Sequence, residues 1–300
     1  VATLRRRALL GGGAGLVVLT AAGGLLDAGA LPGKGHLERA LHVAPGEDVD
    51  ATIPNVATGA VVTGSFTSKN FRRQVGYAVA YPPDHAPGAA LPVALALPGR
   101  GGTATGLFQE LGYDRFLAAH VAAGGTPYAV AAVDGGTSYW HPRSSGLDPL
   151  GMLTDELLPL LAGMGLRTSA FGVLGVSMGG FGALLLARQS ARRALNGRTV
   201  VVAAAASAAL WTSAGATAPG AFDDPADWAR WGDLAAAPGV SRSTALYLAC
   251  GDSDPFAAAD RRYRAATHEP AGGFTPGAHD DGYWRSVAAA QVAYVGDHLA

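Results

Sequence analysis

Apolar and polar residues change rhythm along this chain, and the rhythm predicts alternating strands and helices. Residues 73–83, RQVGYAVAYPP, alternate in the manner of a half-buried strand, whereas 91–99, LPVALALPG, are continuously apolar like a central one. Further strands are expected at 60–68, 127–136, 169–177, 199–207 and 244–254. Between and after them, 104–124, 151–165, 179–189 and 283–299 carry helical patterns. This alternation predicts an α/β fold, a mostly parallel sheet with helices on both faces and chemistry gathered at the carboxyl ends of its strands. No internal repeat of fixed period interrupts the pattern.

The junction between the strand at 169–177 and the helix at 179–189 reads GVSMGG and matches the G-x-S-x-G nucleophile elbow through Gly175, Ser177 and Gly179. A strand that turns sharply into a helix lifts the serine over the sheet edge, and β-carbons at the flanking positions would clash. In a chain with 43 glycines the five letters alone carry little weight; the strand before them and the helix after them carry more. A serine hydroxyl needs a base, and the base needs a carboxylate to orient it. In hydrolases of this architecture the order along the chain is serine, acid, histidine. Of His268, His279 and His298, which follow Ser177, His279 in the loop TPGAHDDGYW is the candidate base. The loop GDSDPF offers Asp252 and Asp254; Asp254, beside Pro255, is preferred as the acid, and Asp252 is expected to cap the local backbone. The amides of Met178 and of Arg100, in the glycine turn LPGRGGT, are the candidate oxyanion donors.

Composition narrows the class. With 300 residues, 49% hydrophobic and 15% charged, the chain buries a large core; its net charge of -1 leaves no basic surface for nucleic acid. The single cysteine excludes an intrachain disulfide and any multi-cysteine metal site. Arg5, Arg6 and Arg7 precede an uncharged run from Ala8 to Leu26 and then a small-residue stretch, the parts of an export signal of twin-arginine type. Residues 1–30 are therefore expected to be a signal or an uncleaved membrane anchor, 31–55 a linker and 56–300 the catalytic domain. An exported or envelope location follows from that expectation.

Four ordered motifs, LPGRGG, GVSMGG, CGDSDPF and PGAHDDGYW, with AVDGGTSYWHPR between the first two, resemble the esterase group of the α/β-hydrolase superfamily. That group includes esterase D and the antigen 85 mycolyltransferases. The resemblance implies an α/β-hydrolase fold with a short lid-like insertion, a triad of Ser177, Asp254 and His279, oxyanion donors Arg100 and Met178, and no cofactor. The mycolyltransferases use a glutamate as the acid, so the aspartate here favours the esterase side. The insertion at 208–231 is expected to roof the site. Trp211 and Phe222 there, with Trp140 and His141 in the loop TSYWHPR, are the candidate substrate contacts; Trp228 and Trp231 share the insertion. The expected function is hydrolysis of small-molecule or lipid esters through an acyl-serine. Acyl transfer to envelope sugars or lipids is the alternative, and a non-catalytic envelope-binding module is the reading from another class.

Overall fold

The computed structural model describes residues 51–299, apart from 194 and 269. The expected leader and most of the expected linker lie outside the described residues. Strands β1 (Val61–Ser68), β2 (Arg73–Ala80), β3 (Pro92–Leu97), β4 (Ala129–Val133), β5 (Arg167–Val176), β6 (Thr199–Ala206), β7 (Ala245–Gly251) and β8 (Phe274–Thr275) form one sheet. Their spatial order is β1-β2-β4-β3-β5-β6-β7-β8. β1 and β2 pair antiparallel, β2 runs antiparallel to β4, and every later pairing is parallel. Every residue of β3 and β4 is buried, as a strand covered on both faces requires, while the edge strand β1 is exposed at alternate residues.

Helices α1 (Tyr113–Ala122), α2 (the run 149–163, with a wider π turn over Met152–Leu157), α3 (Met178–Ala191), α4 (Ala257–Ala266) and α5 (Asp281–Leu299) cover the two faces. Side chains alternate between two cores: Val93, Leu95 and Leu97 join the cluster under α2 and α3, and Ala94 and Ala96 join the one under α1 and α5. Several hydrogen bonds tie α5 to the sheet. Gln291 donates from Nε2 to the carbonyls of Gly175 and Ala204 at 3.2 and 2.8 Å, and its Oε1 accepts from the Tyr113 hydroxyl at 2.5 Å.

Two expectations change. The helical region 104–124 is broken: a short turn at Gly106–Gln109 is followed by Gly112 at φ 72°, a left-handed conformation from which α1 starts in a new direction. The Ile53 side chain lies 2.3 Å from where a Gly112 β-carbon would stand, so the chain already packs on the domain at that point. Helix α4 was not expected, because AAADRRYRAA buries only Ala257, Ala259, Asp260 and Tyr263 and leaves its arginines outside. The two residues of β8 are too few to leave a pattern.

Candidate active site

The end of β5 turns into α3 at Ser177, whose backbone sits at φ 54° and ψ -120°. For a residue with a β-carbon this is a strained conformation, of the kind held in place only by its surroundings. Here the surroundings are backbone. A β-carbon at Gly179 would lie 1.8 Å from the Leu97 carbonyl oxygen, and one at Gly175 would lie 2.3 Å from the Gly179 carbonyl oxygen. From the other side, the Ser177 amide donates to Ala206 at 3.0 Å, and its carbonyl accepts from Ala209 at 3.0 Å.

The two other predicted residues converge on it. His279 Nε2 lies 2.8 Å from Ser177 Oγ, and His279 Nδ1 lies 2.8 Å from Asp254 Oδ2. The second Asp254 oxygen accepts the Phe256 amide at 2.8 Å, which fixes the carboxylate plane. Burial works against the ionised Asp254, yet the charge and hydrogen bond of His279, with the Phe256 amide, outweigh it and hold the carboxyl below its ordinary value. All three side chains are buried. The His279 ring stands edge-on to Phe256 and Trp284, each centroid 5.1 Å away, so its orientation is set by packing as well as by hydrogen bonds. Asp252 is elsewhere: its exposed carboxylate pairs with Arg261 at 2.6 Å, so the expected backbone cap is replaced by a surface ion pair.

The glycine turn lies against the nucleophile, since a β-carbon on Gly99 would come 3.5 Å from Ser177 Cβ. Arg100 follows it, and Met178 opens α3, where an amide has no partner within its own helix. Arg100 also reaches the roof, with Nη2 3.5 Å from the Pro219 carbonyl oxygen.

Of the expected substrate contacts, Trp211 and Phe222 stand together in the roof, ring centroids 5.8 Å apart, and Trp211 reaches Phe256 beside His279 at 5.5 Å. Trp140 and His141 are corrections. Tyr139 and Trp140 have φ of 51° and 58°, which turns the Trp140 ring inward. It fills the space left by Gly135 and Gly182, where β-carbons would meet it at 2.3 and 2.5 Å, and none of it is exposed. His141 is equally buried, with Nε2 2.9 Å from the Ala221 carbonyl oxygen and its ring stacked on Phe222 at 4.9 Å. Both residues pack the structure beneath the roof and present no surface to a ligand. Two aspartates of adjacent acidic pairs, Asp223-Asp224 and Asp280-Asp281, cap helical turns: Asp224 accepts from the Asp227 amide and Asp280 from the Tyr283 amide. Among the described residues no group of three or more His, Cys, Asp or Glu could hold a metal ion.

One contributor left no motif. Asp260, on α4, is wholly buried, and its Oδ2 accepts the Ala208 amide at 3.1 Å. Ala208 precedes the residue that bonds the Ser177 carbonyl, so Asp260 braces the loop behind the elbow. Burial, with the Asp254 charge beside it, pushes the Asp260 carboxyl well above its ordinary value. Its only sequence signal is an acid as the fourth residue of an otherwise cationic helix.

A family model described as "Putative esterase" matches residues 68–287, which includes every residue of this site. The chain belongs to that family. No curated protein matches the esterase by sequence. Among solved structures it resembles a ferulic acid esterase, with a TM-score of 0.67 at 18% identity over 80% of this chain and 99% of the other. An S-formylglutathione hydrolase from Agrobacterium tumefaciens gives 0.65 at 18% identity over 82% and 98%. A fluorophosphonate-binding serine hydrolase of Staphylococcus aureus gives 0.58 at 16% identity over 80% and 99%. These likenesses establish the α/β-hydrolase fold. Membership of the family makes the protein an esterase.

Proposed function

We propose that Ser177, His279 and Asp254 are the triad of this esterase, and that the amides of Arg100 and Met178 are its oxyanion hole. The observation that carries the reading is the unbroken relay of two 2.8 Å contacts from Ser177 Oγ through His279 to Asp254. His279 Nε2 takes the hydroxyl proton as Oγ attacks the ester carbonyl, then returns it to the leaving alkoxide; water repeats the sequence in reverse and releases the acid. Asp254, held ionised, keeps the Nδ1 proton in place and stabilises the imidazolium that forms in each half-reaction. The oxyanion donors act on charge that appears only in the transition state, and each contributes about 2.7–4 kcal/mol in sites of this kind. Trp211 and Phe222 line the acyl side beneath the roof. An exported location, carried by the Arg5–Leu26 pattern, belongs to the same proposal.

A fluorophosphonate probe tests it: folded wild type is expected to label at Ser177, and Ser177→Ala to remain unlabelled and to lose ester turnover. Labelling of Ser177→Ala, or an unlabelled active wild type, overturns the assignment. Product analysis with a sugar acceptor present distinguishes hydrolysis from acyl transfer.

A further inference from the structure

The carboxyl edge of the sheet holds a second hollow, beside β4 and β2 and away from β5. Its volume is about 310 Å³, and its walls include Phe71, Arg73, Gly136, Ser138, Arg143 and Asp223. The two guanidiniums in these walls are used differently. Arg143 spends its donors inside the protein: Nε and Nη2 bond Asp223 Oδ1 at 3.0 and 2.7 Å, and Nη1 bonds the carbonyls of Gly220 and Ala221 at 3.1 and 3.0 Å. Arg73 is exposed, and its contacts use none of its N–H groups. Its guanidinium stacks 4.2 Å from the centre of the Phe71 ring, and Nη2 sits 2.9 Å from where a Gly136 β-carbon would stand. Among the described residues no hydrogen bond or ion pair engages that side chain.

A guanidinium stacked on an aromatic ring, exposed at the mouth of the hollow and with no protein partner for its donors, matches a planar or tetrahedral oxyacid, which it grips bidentately. The ionisable groups lining the hollow are two cations and one carboxylate, and that carboxylate already belongs to Arg143. The wall of the hollow also adjoins the glycine turn beside the reaction centre: the Gly136 carbonyl accepts the Gly101 amide at 2.8 Å, one residue beyond Arg100. Ser177 follows β5, and β3, β4 and β2 lie successively beside it. At about 4.8 Å per strand, the hollow is about 10–15 Å from the nucleophile.

We propose that this hollow is a subsite for an anionic oxyacid group, carboxylate or phosphate, carried on an arm of the ester about 10–15 Å from the reacting carbonyl, and that Arg73 recognises it. The proposal rests on the assignment of Ser177 as nucleophile and names the class of ester that the site takes.

The test uses aryl monoesters of straight-chain dicarboxylic acids about 8–12 carbons long, each against the same ester methylated at its far carboxyl. Matching acetates of ω-hydroxy acids place the charge on the alcohol arm, and a phosphate-ended arm distinguishes the two anions. Wild type is expected to prefer the free acid on one arm by about 10- to 30-fold in kcat/KM, less so at high salt. Arg73→Gln, its fold checked by circular dichroism, is expected to level the pair, and Arg73→Lys to keep part of the preference. Equal rates for free and capped esters of every arm in wild type, or a preference that survives Arg73→Gln, overturn the subsite while leaving the nucleophile standing. Silence toward every ester by a wild type that the fluorophosphonate still labels at Ser177 overturns the subsite alone; silence without labelling overturns the reading of Ser177 as well.

Discussion

The elbow below the reaction centre and the roof above it are held by opposite means. At the elbow, backbone meets backbone: Gly179 leaves no room for a β-carbon beside Leu97, and Ser177 bonds through its own amide and carbonyl to 206–209. In the roof, 208–231, rings meet rings, with Phe222 against Tyr139, Phe181, Trp211 and His141, and the Arg143–Asp223 clamp fastens one end. Backbone contacts tolerate no change in shape, whereas aromatic faces and an ion pair allow repacking. On the proposed function, the reacting atoms belong to the intolerant region and substrate fit to the adjustable one.

The largest expected effect on the fixed side is chemical. Asp254→Asn is expected to lower kcat by about 10³–10⁴-fold while circular dichroism shows the fold retained, because the imidazole loses its orienting charge; retention of wild-type kcat would place the acid elsewhere. Next comes the shape of the turn. Gly179→Ala is expected to cost about 3 kcal/mol or more in denaturant unfolding, since the added carbon meets the Leu97 carbonyl and not a movable side chain. Phe222→Ala tests the roof and is expected to cost less, about 1–2 kcal/mol, because the ring is only partly buried and its neighbours can close in. Its kinetic signature is a raised KM with kcat little changed; a kcat loss like that of Asp254→Asn would erase the contrast between the regions.

The smallest effect is one of pH. The Ser144 amide first, and then Arg143, hold the Asp223 carboxyl down at about 2, against slight burial. Unfolded, the group titrates near 3.9, so the contribution of the clamp is complete above about that pH and is lost as pH falls through about 2. Tryptophan fluorescence is expected to report a loosened roof across that window, with the step absent in Asp223→Asn.

The same contrast explains what was legible in the sequence. Geometry imposed by backbone contact demands glycine at fixed positions, and so Gly175, Gly179 and the 99–102 turn could be read with Ser177 at their centre. Asp254 and His279 were legible because their order along the chain is constrained, and the structure brings both to hydrogen-bonding distance. Trp140 and His141 were misplaced because a loop's address is readable while the direction of its side chains is not. Two successive positive φ angles sent the indole into the core. Asp260 was missed for a related reason: a lone aspartate among arginines looks like a solvated charge until the helix that carries it is packed against the sheet.

The grip of Gln291 on the Gly175 and Ala204 carbonyls has a consequence in time. Along the chain Ser177 precedes Asp254 and His279, and the helix that stitches β5 to β6 follows all three. Ser177 is therefore made before the groups that arm it, and turnover is expected only once α5 has docked on the sheet. Shortening α5 from its far end is accordingly expected to lower activity in steps, as Leu299, Val295 and Val292 leave the core, and to abolish it by the loss of Gln291, before His279 is reached.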